Sequence, residues 1–287
     1  MQQSAEQTDY YAELPLPESV APEPVGPNNP PWSALEGIGV WIASVLLILF
    51  VPAIFLLPYL ALHKPPILDN EALVEFAKTD PTAVILQIAA ILPAHLLTVL
   101  IGWAVVTRMR KYNFREMLGW SSGGFRWWEY VVILVGFWLI SIAVASVSPE
   151  QDNDLLKILR SSREAVYVIA FMATFTAPFV EELVYRGVVY SAFQRKWGVP
   201  AAFLLTTVLF ALVHVPQYWP SYSTIGLLTL LSLILTTIRV RTNNLLPCVI
   251  FHTIFNALQS VGMLVQPLQK TAQTTDPTAA LLRLIGF

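Results

Sequence analysis

Long apolar runs alternate with short polar connections between residues 37 and 265. The runs cover residues 37–62, 82–106, 127–147, 164–193, 201–215, 221–238 and 245–265. Most are close to the ~20 residues that a helix needs to cross the hydrocarbon core of a bilayer. The pattern therefore predicts an all-α, polytopic transmembrane helix bundle of seven to eight spans, the eighth being a partial span or a short interfacial helix at residues 279–287.

The chain divides by composition into four parts. Residues 1–36 contain no Lys or Arg but six acidic residues and seven prolines, a composition that cannot bury a core. They predict a disordered, acidic, Pro-rich N-terminal tail that acts as a spacer, and they lack the basic n-region of a signal peptide. Residues 37–147 hold the first three transmembrane helices, residues 164–265 hold the remaining four, and residues 266–287 form a polar C-terminal tail.

The overall composition favours a membrane protein and excludes other classes. Hydrophobic residues make up 55% of the chain and charged residues only 13%, and the mean hydropathy is +0.60. We therefore expect the lipid bilayer as a partner, and no nucleic acid, because no basic cluster is present. Cys248 is the single cysteine, which excludes an intrachain disulfide. Nothing in the sequence predicts an oligomeric state.

The distribution of Lys and Arg predicts the orientation. Loops 108–126, 195–196 and 239–241 would lie on one side of the membrane and together carry nine basic residues, against seven on the other side. Cytoplasmic loops carry the excess of basic residues, so we expect a cytoplasmic N-terminus. The bacterial inner (cytoplasmic) membrane is the expected location, although an endoplasmic reticulum membrane fits the absence of disulfides and targeting signals equally.

Three charged residues interrupt the fourth apolar run. An ionised side chain near the bilayer centre costs roughly 2.5–3.5 kcal/mol, so Glu181, Glu182 and Arg186 need partners or a wet cavity. Glu182 and Arg186 are four apart on a helix and predict a charge pair, whereas Glu181 is left without a local cation. Pro178 predicts a kink just before the carboxylates. The alternative is that the three charges only lock helices together.

Three further polar residues lie in the fifth and seventh runs. His252 and Asn256 are i and i+4, so they form one polar stripe, and His214 lies near the end of the fifth run. Each could be a packing residue or a contact between helices, as we expect for His95 in the second run. Helix lengths nevertheless place Glu181, His252 and Asn256 near one depth with His214 deeper, so one cavity could hold all four.

The motifs resemble those of a known family. Glu-Glu-x-x-x-Arg at 181–186, Phe-x-x-x-His at 210–214 and His-x-x-x-Asn at 252–256 occur in this order on successive hydrophobic helices. This order is similar to that of the CPBP family, which comprises the type II CAAX prenyl endopeptidases and their bacteriocin-processing and abortive-infection-like relatives. The resemblance covers residues 165–260.

The resemblance implies an intramembrane endopeptidase that acts on a peptide or protein substrate. Glu181 matches the family's water-activating glutamate, with His214 assisting, and His252 and Asn256 match the residues that hold the oxyanion. Glu182 and Arg186 would support them. A metal-free mechanism is preferred, without a cofactor. The alternative is a zinc metalloprotease with Glu181, His214 and His252 as three ligands and an open fourth position.

Two functions from other classes use the same residues. A proton-coupled transporter could relay protons through them, but transporters commonly show repeated halves with paired broken helices, and the sequence predicts only one Pro-kinked helix. A non-enzymatic membrane scaffold could have retained the motif residues. Intramembrane proteolysis remains the leading hypothesis.

Overall fold

The structure of this chain is a computed structural model that describes residues 24–64, 67, 69–149 and 151–265. The predicted features at residues 1–23 and 266–287, including the eighth span, lie outside these ranges. The helices are α1 (Ala34–Leu62), α2 (Asn70–Thr79), α3 (Pro81–Ala89), α4 (Ile91–Thr107), α5 (Phe114–Leu118), α6 (Trp127–Val147), α7 (Asp154–Ser161), α8 (Arg163–Phe175), α9 (Ala177–Glu182), a π-helix (Leu183–Val189), α10 (Tyr190–Tyr218), α11 (Tyr222–Thr242) and α12 (Leu246–Val265).

The predicted all-α membrane bundle is confirmed. Six stretches within the described ranges are long and apolar enough to cross a bilayer. The longest of them runs 42 residues, Ala177–Tyr218, which is about 63 Å of helix against a hydrocarbon core of about 30 Å. It bends at Gly198, where φ is 80° and ψ is 171°, a conformation that side chains disfavour. The stretch therefore contains two helical segments, and the described residues hold six or seven spans where the sequence predicts seven.

The outer surface of the bundle is apolar. On α6, Val131, Val135, Leu139 and Ile140 are all exposed, and α1 likewise presents several leucines and phenylalanines. A water-soluble protein rarely exposes such continuous apolar surface, whereas a bilayer solvates it. Together with the apolar helix lengths, this surface identifies an integral membrane protein.

The π-helix lies at the centre of the bundle. All seven of its residues are buried, and Leu183, Val184, Val188 and Val189 belong to the largest apolar cluster. α1 and α4 pack against it on one side, and α10 and α11 contact it as well. α12 packs along α8 and α9. The turns that carry the two glutamates are therefore surrounded by helices from both halves of the chain.

Residues 24–36 differ from the predicted disordered tail. Ser33 and Glu36 form a capping box at the start of α1, in which Ser33 Oγ accepts from the Glu36 amide and Glu36 Oε2 accepts from the Ser33 amide. Glu36 also pairs with Arg108. The Ser-x-x-Glu spacing is a sequence signature of a helix start, so α1 begins at Ala34 and the segment before it is packed on the bundle.

The predicted basic loops lie at one end of the bundle. The loop before α6 contacts the α11–α12 turn, because the Leu245 amide donates to Leu118 O and Ser121 Oγ donates to Asn244 Oδ1. Residues 24–36 lie at the same end, where Asn28 Nδ2 donates to Asn243 Oδ1. Arg195 donates to the Pro30 carbonyl in the same segment, so the three loops that carry the excess of Lys and Arg are neighbours in space.

Candidate active site

A break before α9 positions the two glutamates. α8 ends at Phe175, Thr176 has φ −110° and ψ −46°, and Pro178 lies in the first turn of α9. Proline has no N–H to donate and fits the first turn of a helix, which is why the chain separates into two helices here. The kink predicted from Pro178 is confirmed. The following π-helix was not predicted; such segments are frequent at functional sites.

Glu182 and Arg186 form a completely buried ion pair. Arg186 Nη1 donates to Glu182 Oε1 over 3.0 Å, and both side chains are 0% exposed. Arg186 Nη2 also donates to Ser232 Oγ on α11 over 2.8 Å. Neither ion could remain charged at this depth without such partners, because burying a charge costs several kcal/mol. The pair that the i, i+4 spacing predicts therefore exists.

His252 lies between the two glutamates. Its Nδ1 is 2.9 Å from Glu182 Oε1, and its Nε2 is 3.9 Å from Glu181 Oε2. Glu182 Oε1 accepts from Arg186 and also from His252 Nδ1, so Nε2 is the ring nitrogen that faces Glu181. Glu181 is 25% exposed in its side chain, whereas His252 is 3% exposed. The outer glutamate is thus accessible, and the inner one orients the imidazole.

His214 reaches this cluster through Phe210. Its Nδ1 donates to the Phe210 carbonyl over 2.7 Å, which leaves Nε2 as the atom with an available lone pair. The Phe210 ring lies 4.7 Å from the His214 ring and 6.3 Å from the His252 ring. The Arg186 guanidinium lies 4.7 Å over the same phenyl ring. Phe210 therefore joins both histidines to the buried ion pair.

Asn256 lies one turn beyond His252 and ties α12 to the end of α8. Its Nδ2 donates to the Ala173 carbonyl over 2.9 Å. Ser260 continues the stripe by donating to the Ala170 carbonyl and accepting from Thr174 Oγ1. The predicted stripe of His252 and Asn256 thus extends by a third member. Its next position, i+8, could have been read from the sequence.

His95 lies at the break between α8 and α9. Its Nδ1 is 2.9 Å from Thr176 Oγ1, and the residue is 7% exposed. Thr176 Oγ1 donates to the Met172 carbonyl, so His95 Nδ1 is the donor to the threonine. This contact agrees with the expected hydrogen-bonded packing role and connects α4 to the turn that precedes Glu181.

Three residues of the cluster were missed by sequence reasoning. Ser232, Thr236 and Arg239 of α11 are all completely buried. Arg239 was assigned to the basic loop 239–241, but α11 continues to Thr242 and buries it. The spacing i, i+4, i+7 places the three on one helical face, and that spacing is the signal that identifies a buried polar stripe.

The geometry also bears on the zinc alternative. Among the residues that the structure describes, no three His, Cys, Asp or Glu side chains are arranged to hold a metal ion. Glu181 and His252 are neighbours, but His214 joins them only through the Phe210 ring. The three proposed zinc ligands therefore do not fit a metal site in this arrangement.

Comparison with known proteins agrees with this region of the chain. The family model described as Type II CAAX prenyl endopeptidase Rce1-like matches residues 163–258, about a third of the sequence. This match confirms the resemblance to the CPBP family of intramembrane proteases, and it spans all three motifs. No curated protein matches the chain. No solved structure matches it either.

Proposed function

We propose that this integral membrane protein, similar over residues 163–258 to the type II CAAX prenyl endopeptidases, is an intramembrane endopeptidase that hydrolyses a peptide bond near the membrane surface. One observation supports this function most: a partly exposed carboxylate, Glu181, faces an imidazole that a buried carboxylate orients from behind. A peptide or protein substrate and a membrane environment follow from the family.

Glu181 acts as the general base in this proposal. Its Oε2 and His252 Nε2 are 3.9 Å apart, too far for a hydrogen bond but close enough for both to contact one water molecule. Glu181 takes a proton from that water while the oxygen attacks the carbonyl carbon of the peptide. His214 assists through Nε2, the ring nitrogen that its bond to the Phe210 carbonyl leaves available. Such proton transfer contributes about 10²–10⁴-fold to a rate.

Asn256 and His252 stabilise the oxyanion of the tetrahedral intermediate. The Asn256 amide has two N–H groups, of which one is bonded to the Ala173 carbonyl and the other is available to a substrate oxygen. In this step His252 is the doubly protonated ring, so Nδ1 donates to Glu182 and Nε2 donates to the oxyanion, and the ring keeps both protons throughout the reaction. When the intermediate collapses, the C–N bond breaks and Glu181 returns its proton to the leaving amine, with His214 assisting.

Arg186 and Glu182 support this chemistry without contacting the substrate. Glu182 bonds the Nδ1 of His252 and so fixes the orientation of the ring, and Arg186 holds the Glu182 carboxyl group in place through a direct hydrogen bond. A carboxylate that orients a catalytic imidazole in this way keeps its proton on the required nitrogen. We further propose a cytoplasmic N-terminus and a bacterial inner membrane, since the basic loops gather at one end of the bundle.

The first prediction tests proteolysis in cells. Membranes from cells that produce the wild-type chain and from cells that produce Glu181→Ala are compared by enrichment and mass spectrometry of new protein N-termini. We expect at least one cleavage product that depends on Glu181, because the carboxylate is the proposed base. Glu75→Gln, which alters an exposed glutamate of α2, serves as the matched control and should give the wild-type products. Identical sets of N-termini at equal protein amounts would contradict the proposal.

The second prediction concerns the metal. We expect the purified protein to keep its peptidase activity after dialysis against a chelator, because the proposed reaction uses no metal and no three candidate ligands within the described ranges are arranged to hold one. Metal content is measured by inductively coupled plasma mass spectrometry on the same samples. Stoichiometric zinc that is lost together with activity, and activity that returns when zinc is added, would favour the metalloprotease alternative instead.

A further inference from the structure

A segment before the first helix crosses the end of the bundle and holds the turn that carries the site. We call residues 24–33 the N-terminal strap. Its backbone carbonyls accept hydrogen bonds from three arginines of three different segments: Pro27 O from Arg239, Pro30 O from Arg195 and Pro31 O from Arg108. Proline has no backbone N–H, so the proline-rich strap has few amides that could bond to its own carbonyls. These carbonyls accept from guanidinium groups instead.

Trp32 connects the strap directly to the π-helix. Its indole Nε1 donates to the Val188 carbonyl over 3.0 Å, and its side chain is completely buried. Val188 is the sixth of the seven π-helical residues. A buried carbonyl in an irregular helix needs a donor from elsewhere, and here the donor comes from a residue 156 positions earlier in the chain.

Arg239 of α11 connects the strap to the π-helix at a second point. Its Nε donates to the Arg186 carbonyl over 3.2 Å, so it contacts the backbone of the residue whose side chain pairs with Glu182. Its Nη atoms donate to the strap, at Pro27 O over 2.7 Å and Asn28 Oδ1 over 3.2 Å, and to Ser191 Oγ. The strap thus covers Arg239 and aims its guanidinium at the π-helix.

These contacts use two π-helical carbonyls and a buried cation that the proposed reaction does not require. A π-helical turn contains one residue more than an α-helical turn. Relaxation to α-helical geometry would shift the helical register by one residue, which turns the following residues by about 100° around the helix axis. Such a rotation would keep the i, i+4 pair but move Arg186 away from Ser232 of α11, and it would therefore shift the Glu182 carboxylate that bonds His252. The bonds from Trp32 and Arg239 oppose that relaxation.

We propose that Trp32 and Arg239 are positioning residues, and that the N-terminal strap clamps the π-helix so that Glu182 and Arg186 hold His252 toward Glu181. The expected effect of the strap on catalysis rests on the proposed endopeptidase function. The strap acts through the π-helix and does not contact the reacting atoms.

The test compares two conservative variants with two matched controls. Trp32→Phe keeps an aromatic ring but removes the Nε1 donor, and Arg239→Lys keeps the charge but removes the guanidinium fork. Trp127→Phe and Arg115→Lys make the same changes at exposed positions. Each protein is assayed for kcat and KM with a peptide identified as a Glu181-dependent substrate, for thermal unfolding, and for hydrogen exchange of the amides at 183–189.

We expect kcat of Trp32→Phe and Arg239→Lys to fall about 10- to 100-fold, since small displacements of catalytic groups have effects of this size. KM should stay within about twofold, because the strap does not touch the substrate. Exchange at residues 183–189 should become faster, and the controls should match the wild type. An unchanged kcat in both variants would overturn the proposal, and so would unchanged exchange.

The same experiment separates this inference from the function on which it rests. If the wild-type chain shows no Glu181-dependent cleavage, the endopeptidase proposal fails and takes the catalytic role of the strap with it. If Glu181-dependent cleavage is present but the strap variants match the controls, only the clamp is wrong. A parallel fall of kcat and thermal stability in both the variants and the controls would also overturn the clamp, since it would indicate general destabilisation.

Discussion

Replacing Glu181 with Gln is expected to abolish peptide hydrolysis while leaving the fold intact. The amide has nearly the same shape but cannot accept a proton from water, so kcat/KM should fall by at least about 10²–10⁴-fold. The side chain is 25% exposed, and its 3.9 Å distance to His252 Nε2 is longer than a hydrogen bond. The change therefore removes little that stabilises the bundle, and thermal unfolding in detergent should follow the wild-type curve.

The matched control is Glu75→Gln, which makes the same chemical change on the exposed surface of α2. It should keep wild-type rates. An activity of Glu181→Gln within about threefold of the wild type would contradict the assignment of Glu181 as the general base, because general-base removal costs far more than that. It would favour the scaffold alternative, in which the motif residues serve only packing.

The transporter alternative is distinguished with the same proteins. In liposomes with an imposed pH gradient, a proton-coupled transporter would carry protons in a Glu181-dependent way without releasing peptide products. The helix breaks at Thr176 and near Ala90 are the features that such a function would use. We expect no Glu181-dependent proton flux, because the proposed reaction uses Glu181 as a base that returns its proton to the leaving amine.

Replacing Arg186 with Met should have the largest effect on stability. The substitution keeps most of the side-chain volume but leaves Glu182 completely buried without its cation. Breaking a buried ion pair by removing one partner costs about 3–5 kcal/mol, so we expect the midpoint of thermal unfolding to fall by about 10 °C. Activity should be lost as well, because Arg186 holds in place the carboxyl group that orients His252.

A second variant separates the two effects. In the double variant Glu182→Gln with Arg186→Met, no unpaired charge remains, so the unfolding midpoint should recover most of the lost stability. Activity should stay low, because a neutral amide does not hold the proton of His252 at Nδ1 as firmly as a carboxylate. An Arg186→Met protein with a wild-type unfolding midpoint would show that the pair contributes little, against the expectation from its burial.

Hydropathy predicted the helices well where burial in lipid alone decides them. The expected span at 127–147 coincides with α6, and the expected span at 245–265 differs from α12 by one residue. The errors lie where a charge was taken as the end of a helix. The sixth span was expected to stop at residue 238, but α11 continues to Thr242 because Arg239 has buried partners. Those partners come from the strap and the π-helix, which are remote in sequence.

The candidate site was predictable in composition but not in arrangement. Spacing alone gave the Glu182–Arg186 pair and the stripe of His252 and Asn256, since both are local consequences of 3.6 residues per turn. The bond from His252 to Glu182 joins residues 70 positions apart. The sequence left open which glutamate would face which ring nitrogen, and the buried ion pair decides it.

The sequence by itself therefore determined that this chain is a helical membrane protein with carboxylates, imidazoles and an amide inside its apolar spans, because the transfer of each side chain into lipid is a local property. Only the tertiary structure decided that residues 24–33 pack as a strap, that a π-helix carries Arg186, and that His252 lies between two glutamates. These features depend on hydrogen bonds between segments that are distant in sequence. Buried donors and acceptors have no water to bond to, so their partners are the groups that tertiary packing places beside them.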